Sequence, residues 1–224
     1  MNAPEAPLSI NEKVYRTLRD QLMRGDIAAG QNLGIEELAA AMNTSTMPVR
    51  AALQRLAEQQ AVQRTRSRSM QVPLLSLERL EDIRRCRVVV EGALTEWAVP
   101  LLDAPQIALL TQLARKIAQA LRKPSTVEEG LVQNQRFHFT IYQAAESPAM
   151  LPLVESLWLQ SGPYLRAARA LMHRSRGHDL DFHDRILQAI VERDTAQARA
   201  VMEEDVAWAF DRLRETPGAL LQAA

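Results

Sequence analysis

Asn43-Thr44-Ser45-Thr46-Met47-Pro48-Val49-Arg50-Ala51-Ala52-Leu53-Gln54-Arg55-Leu56 reads as the second half of a helix-turn-helix, with a DNA-reading helix that opens on Ser45. A short polar turn precedes it. Val49, Ala52, Leu53 and Leu56 recur at helical spacing and can pack inward, which leaves Arg50 and Arg55 to point elsewhere. Pro48 sits in the first turn, where its missing N–H is no loss because the donors there have no intrahelical partner.

The flanking residues complete a compact module. On the N-terminal side, Ser9-Ile10-Asn11-Glu12 has the pattern of a capping box, and Val14, Leu18 and Leu22 share one face of a first helix that Gly25 stops near Arg24. Ala29-Gly30 is a turn, and Ile35 to Met42 is a second short helix. On the C-terminal side, from Val62 to Val72, the period changes to two. Val62, Met70 and Val72 mark apolar positions while Arg64, Arg66 and Arg68 alternate with small polar residues, which predicts a β-hairpin with a basic tip, a wing beside the reading helix. Pro73 ends it. Three helices and a hairpin in about 70 residues make a unit of a size that folds alone.

Charge is distributed to match. The chain is neutral overall, but from Asn43 to Leu75 five arginines face one acid (Glu58), a local +4 that leaves −4 for the remainder. A basic face on a neutral protein is the footprint of a DNA-binding module joined to a neutral partner domain. Five arginines within a helix-turn-helix frame outweigh the reading of a merely solvated face.

Beyond Leu75 the strand signals vanish and helical patterns take over. Leu77 to Leu101 is a long helix, Asp103-Ala104-Pro105 starts another, and Ser125-Thr126-Val127-Glu128 has the form of a second capping box. Ser147-Pro148 opens a helix to about Met172, Asp179 to Glu192 is the next, and Asp194-Thr195-Ala196-Gln197 caps the last, before Pro217. The expectation is a mainly α protein: an N-terminal winged helix-turn-helix over 1–75, then an all-α antiparallel bundle of six to seven helices over 76–224. The 4% aromatic content and the dominance of Ala, Leu and Val favour helices. No apolar run approaches the roughly 20 residues of a membrane span. Cys86 is the single cysteine, and no basic start followed by an apolar block opens the chain, so a cytoplasmic protein without membrane attachment is expected.

Residues 1–75 resemble the GntR family of bacterial transcription regulators. The resemblance rests on Gly25, Gly30 and Leu33, on Glu37-Leu38-Ala39, and on Ser45 to Leu53 with Arg55-Leu56, against a family pattern close to L-A-x-x-[LM]-x-V-S-R-T-P-V-R-E-A-L-x-R-L. The helical remainder is similar to the FadR-type branch with its FCD ligand-binding domain, through Arg87-(x)3-Glu91, Asn134-(x)3-His138 and His183-(x)2-Ile186-(x)2-Ala189-Ile190. Three departures stand out: Thr46 where the family usually has Arg, Ser69 where the wing tip usually has Gly, and Gln60 where a Gly commonly ends the reading helix.

Several residues are then singled out. Ser45 and Thr46 lie at a helix N-terminus, suited to a phosphate. Arg50 and Arg55 are five apart, so one can read a base while the other holds the backbone. Arg66 and Arg68 suit phosphates or the minor groove. In the helical domain the resemblance implies a metal site at Asn134, His138, His183 and Asp205, where the family usually has Asp-His-His-His; here the carboxylate stands at the other end of the set. Two imidazoles and a carboxylate suit Zn²⁺, Ni²⁺ or Mn²⁺, with Asn134 a weak ligand or a hydrogen-bond partner; a metal-free polar pocket is the alternative. His173 and His178 lie in a charged, Gly-containing connection and read as exposed. Asp179, four before His183, is a further acid outside the family pattern. Arg87 precedes the apolar run Val88 to Val90, and if it points inward it must find an anion. The resemblance implies a ligand carboxylate, and Glu91 at i+4 is the competing partner. Arg166 is a second ligand candidate. Trp158 is a candidate for lining the pocket.

The sequence therefore predicts a ligand-responsive regulator, a repressor, that binds a pseudo-palindromic double-stranded operator as a homodimer and responds to a small organic acid. The rival is a metal-dependent enzyme acting on a small carboxylate, for which no further general base is evident.

Overall fold

A computed structural model describes residues 8–66, 69–120, 124–172 and 182–215. Arg68, His173, His178 and Asp179 fall outside these residues, and so does the side chain of Arg166.

The head begins with α1 (Ile10–Arg24), whose buried face is Val14, Tyr15, Leu18, Leu22 and Met23. Ser9 caps it, its Oγ accepting the Glu12 N–H at 3.2 Å. The reciprocal half of the expected capping box is redirected: the Glu12 carboxylate accepts from Arg16 at 2.8 Å and Arg55 at 3.0 Å. A charged acceptor gains more from two guanidinium donors than from one neutral amide. Gly25, at φ 74°, ends the helix.

Next come α2 (Ile35–Ala41) and α3 (Thr46–Glu58), separated by a turn in which Asn43 takes φ 49°. On α3 the face Pro48, Val49, Ala52, Leu53 and Leu56 is buried. Gln60, where a Gly is common in similar sequences, adopts φ 59°, so the position demands the left-handed conformation even without glycine. Its side chain accepts from Arg79 at 3.2 Å.

The wing contains one strand more than the period-two pattern predicts. Strands β2 (Gln63–Arg64) and β3 (Met70–Gln71) pair antiparallel, and β1 (Asn32–Leu33) joins the other edge of β3, giving the order β1-β3-β2. Two residues are too few for alternation to be read from sequence. Ser69 accepts the Thr65 N–H at 2.8 Å and so extends the hairpin ladder toward the tip.

Six helices follow among the described residues: α4 (Leu77–Ala98), α5 (Ala104–Ala120), α6 (Val127–Ala144), α7 (Met150–Met172), α8 (Phe182–Val191) and α9 (Thr195–Glu215). The starts of α5 and α9 are those the sequence predicts. Asp103 Oδ1 accepts the Gln106 N–H at 2.8 Å while Gln106 Oε1 accepts the Asp103 N–H, and Asp194 Oδ1 accepts the Gln197 N–H. The expected box at Ser125 to Glu128 does not form in that way. A 3-10 turn, Pro124–Thr126, precedes α6, and the Thr126 hydroxyl donates back to the Ala120 carbonyl at 2.8 Å.

Helix α7 joins head and bundle. Adding a Cβ at Gly162 would bring it 2.2 Å from the Leu22 carbonyl oxygen and 2.7 Å from that of Met23, so only glycine lets α1 end this close to α7. Two residues on, the Tyr164 hydroxyl donates to the Pro73 carbonyl and accepts the Leu75 N–H, both at 2.6 Å. The segment between head and bundle is thereby pinned to the same helix. Ser156 adds a bond to the Gln59 carbonyl at the end of α3.

Candidate functional site

Two sites emerge. The first is the outer surface of the head. With the apolar face of α3 buried, Ser45, Met47 and Arg50 are exposed and Thr46 is half-buried in the opening turn. Ser45 is the N-cap yet makes no side-chain capping bond. Arg50 lies 3.9 Å from Glu36, with both side chains more than half exposed, a pairing worth at most about 1 kcal/mol. Arg55 is held differently. Its guanidinium sits 3.5 Å from the centre of the Tyr15 ring and 3.0 Å from Glu12, which ties α3 to α1. Arg50 and Arg55, similar in sequence, thus differ in commitment. Arg64 and Arg66 are exposed on the wing. Met47, 70% exposed, was not among the residues singled out from the sequence. An apolar side chain so exposed between Thr46 and Arg50 is the signal that marks it.

The second site lies inside the bundle. Helix α6 supplies Asn134, His138 and Tyr142, one turn apart on one face, α8 supplies His183, and α9 supplies Asp205. All are buried: Asn134 2%, His138 1%, Tyr142 0%, His183 6% and Asp205 8% exposed. His138, His183 and Asp205 each offer a donor atom within 4.8 Å of the others. His138 Nε2 lies 3.2 Å from Asp205 Oδ2, and His183 Nε2 lies 2.9 Å from Asn134 Oδ1. The four positions, scattered over 72 residues of sequence, are therefore brought together. Aromatic rings wall the cluster, with Phe137 5.0 Å from His183 and Trp158 5.4 Å from His138, centre to centre.

These residues fit a divalent transition metal. His138 Nε2 and Asn134 Nδ2 are buried without a hydrogen-bond partner, an uncommon state for interior polar atoms. Two donors bonded to one ion at about 2.1 Å and at right angles stand about 3 Å apart, and both donor pairs have that spacing. Imidazole nitrogen with a carboxylate is a donor set suited to zinc, nickel or manganese.

Arg87 points inward and is 3% exposed. Its partner is Glu91, which accepts from Nε at 2.5 Å and Nη2 at 3.2 Å; Ser161 accepts from Nη1 at 3.0 Å. The Trp158 ring lies 4.6 Å from the guanidinium. Glu91 also accepts a hydrogen bond from the Tyr142 hydroxyl, which lies 3.0 Å from His138 Nδ1. Burial first, and then the Glu91 carboxylate, hold the Tyr142 hydroxyl far above its ordinary range, so it stays a donor. Arg87 and the histidine cluster, separate candidates in sequence, belong to one polar chain. Tyr142 was the missed link, although it stands four residues from His138, and Glu91 was read only as a partner for Arg87.

Comparison with known proteins agrees with this architecture. The family model described as bacterial regulatory proteins, gntR family, matches residues 10–72, and the FCD domain model matches residues 82–207. The HTH-type transcriptional regulator McbR of Escherichia coli K12 is 28% identical over 199 residues, covering 88% of this chain and 89% of McbR. The gluconate operon transcriptional repressor of Bacillus subtilis 168 is 24% identical over 215 residues, covering 92% and 84%. The solved structure of E. coli McbR/YncC superposes with a TM-score of 0.81 at 25% identity, over 96% of this chain and 99% of that one. A putative regulator from Rhodococcus sp. RHA1 shares the fold, with a TM-score of 0.70 at 22% identity over 97% of this chain and all of that one. These proteins are regulators, which removes the enzyme reading, and no described helix is long and apolar enough to cross a membrane. The chain belongs to the gntR family of bacterial regulatory proteins and carries an FCD domain, which makes it a transcription regulator.

Proposed function

We propose that this regulator represses by binding a pseudo-palindromic operator as a symmetric homodimer, with residues 1–75 reading DNA and residues 76–224 sensing a small organic acid. Ser45 and Thr46 hold a phosphate at the α3 N-terminus, Arg50 reads a base edge, and Met47 packs on a thymine methyl. Arg66 and Arg68 steady the wing on the backbone or minor groove. Arg55, already stacked on Tyr15, contributes a backbone contact from a fixed position. Relatives named as repressors support the sign of regulation. The homodimer reading is supported by α4, which leaves Val89 61% and Trp97 47% exposed along one outward stripe. Two reading helices in a dimer would meet half-sites about 34–36 Å apart.

The observation that carries the sensing half is the donor set of the buried cluster: His138, His183 and Asp205 each offer a ligand atom within 4.8 Å of the others. Arg87, the first candidate for the acid, has its donors held by Glu91 and Ser161. An organic anion entering the cluster therefore needs another positive centre. A divalent ion held by His138, His183 and Asp205, with Asn134 beside them, would supply positive charge for its carboxylate. Arg87 then acts by neutralising Glu91, and Arg166 remains the second candidate for the acid itself. The acid acts by favouring one arrangement of the two heads.

The test pairs genomic fragment selection with ligand binding. Full-length protein should enrich discrete palindromic fragments at physiological salt. A panel of small carboxylates should raise the melting temperature with Zn²⁺, Ni²⁺ or Mn²⁺ present and not after chelation. Indiscriminate DNA enrichment would remove the operator reading; carboxylate shifts that persist in chelator would remove the ion's role.

A further inference from the structure

The chain Arg87–Glu91–Tyr142–His138 has a direction, and it is set by which atoms can donate. Both Glu91 oxygens accept from Arg87, so the Tyr142 hydroxyl, whose contact partner is Glu91 Oε2, must be the donor there. A hydroxyl has one hydrogen. Once that hydrogen is committed to Glu91, the phenolic oxygen can only accept from His138 Nδ1, 3.0 Å away. Nδ1 of His138 therefore carries a proton, and in the neutral imidazole Nε2 is left with its lone pair. That nitrogen is buried, makes no hydrogen bond and faces Asp205 Oδ2 at 3.2 Å. Between an imidazole nitrogen and a carboxylate oxygen at that distance in the interior, either a proton or a metal cation must lie.

We propose that Tyr142 is the positioning residue of this cluster: aimed by Glu91 and Arg87, it holds His138 in the Nδ1–H form and turns Nε2 toward Asp205 and His183 as a ready metal donor. The inference rests on the ion-binding reading above and adds the reason that His138 is preset for it. It also gives Arg87 a role that needs no contact with ligand. Its guanidinium, held by Ser161 and lying against Trp158, keeps Glu91 in place to receive the tyrosine. Ligand imidazoles are commonly oriented through their second nitrogen in this way, and losing such a partner weakens metal binding by about 10–100-fold.

Two measurements on the full-length protein test this. Long-range ¹⁵N NMR of the chelated wild type should report Nδ1–H for His138, with His138→Gln identifying the signal. Competition with a chromogenic chelator should show Zn²⁺ affinity falling about 10–100-fold in Tyr142→Phe, whose circular dichroism should match wild type, and His138 should shift toward the Nε2–H form. An Nε2–H tautomer in wild type overturns the proposal even should the variant fail to fold. Unchanged zinc affinity in a folded Tyr142→Phe overturns it as well. Wild-type protein that shows the Nδ1–H form yet takes up no zinc upholds the role of Tyr142 and overturns the ion-binding reading instead.

Discussion

Arg87 illustrates how burial changes the meaning of a charged residue. An exposed arginine four residues before a glutamate is worth a few tenths of a kcal/mol, whereas here both partners are essentially inaccessible, at 3% and 0% side-chain exposure. Removing one leaves the other buried and unpaired, so Arg87→Ala should destabilise the protein by about 3–5 kcal/mol, measured by urea unfolding. Replacing both, as Arg87→Met with Glu91→Leu, should recover most of that loss. A single variant as stable as wild type would mean that the pair is hydrated in solution. The i+4 spacing of Arg87 and Glu91, and of His138 and Tyr142, is visible in the sequence. That these two pairs meet is not, because Glu91 and Tyr142 stand on different helices 51 residues apart.

At the level of helices, the two serine caps of the head make a contrast. Ser9 accepts the Glu12 N–H, while Ser45 makes no side-chain capping bond. Ser9→Ala should therefore cost about 1 kcal/mol, as a working N-cap does, without touching DNA affinity. Ser45→Ala should leave thermal stability within about 0.5 kcal/mol, as surface changes do, and weaken operator binding. Equal stability losses would show that Ser45 caps α3 after all. Arg50→Ala should abolish operator binding in a gel-shift assay and leave the bundle folded, since the exposed Arg50–Glu36 contact holds nothing together. On α4 the outward stripe makes its own prediction: Trp97→Glu should convert a dimer to monomer in size-exclusion chromatography. The helix boundaries were legible because caps and i, i+3, i+4 spacings act within one or two turns. The expected box at Ser125 failed because a 3-10 turn, Pro124–Thr126, moves the N-cap of α6 one residue on, to Thr126.

Across the whole molecule, α7 touches both the buried polar cluster and the head. Trp158 and Ser161 face Arg87, while Gly162 and Tyr164 meet α1 and the segment after the wing. Gly162→Ala should force α1 away from α7, giving faster proteolysis between head and bundle and loss of the effector response, with DNA binding by the head retained. Unaltered proteolysis and response would separate α7 from signal transfer. Glu155 on the same helix lies 3.8 Å from Arg19 of α1. Burial raises its carboxyl above the ordinary 4.5, only partly offset by Arg19. The folded protein thus holds that proton more tightly than the unfolded chain. The resulting stabilisation is complete below 4.5 and is lost as pH rises through the folded value. Stability should therefore rise on moving from neutral into mildly acid solution, and Glu155→Gln should flatten that part of the profile.

Helix periods, turn residues and the basic stretch from Asn43 to Leu75 were enough to read the head, the order of the helices and the family, because each is a short-range property of neighbouring residues. The resemblance to the family, in turn, nominated Asn134, His138, His183 and Asp205. Choice of partner was not readable in the same way. Whether Arg87 meets a ligand or Glu91, which nitrogen of His138 keeps its proton, that Arg55 lies on Tyr15, and how α7 holds the head all depend on side chains from distant segments arriving within 3 to 5 Å in a dry interior or at a packed face. Burial there makes every polar atom find a partner, and only the packed helices determine which partner is in reach.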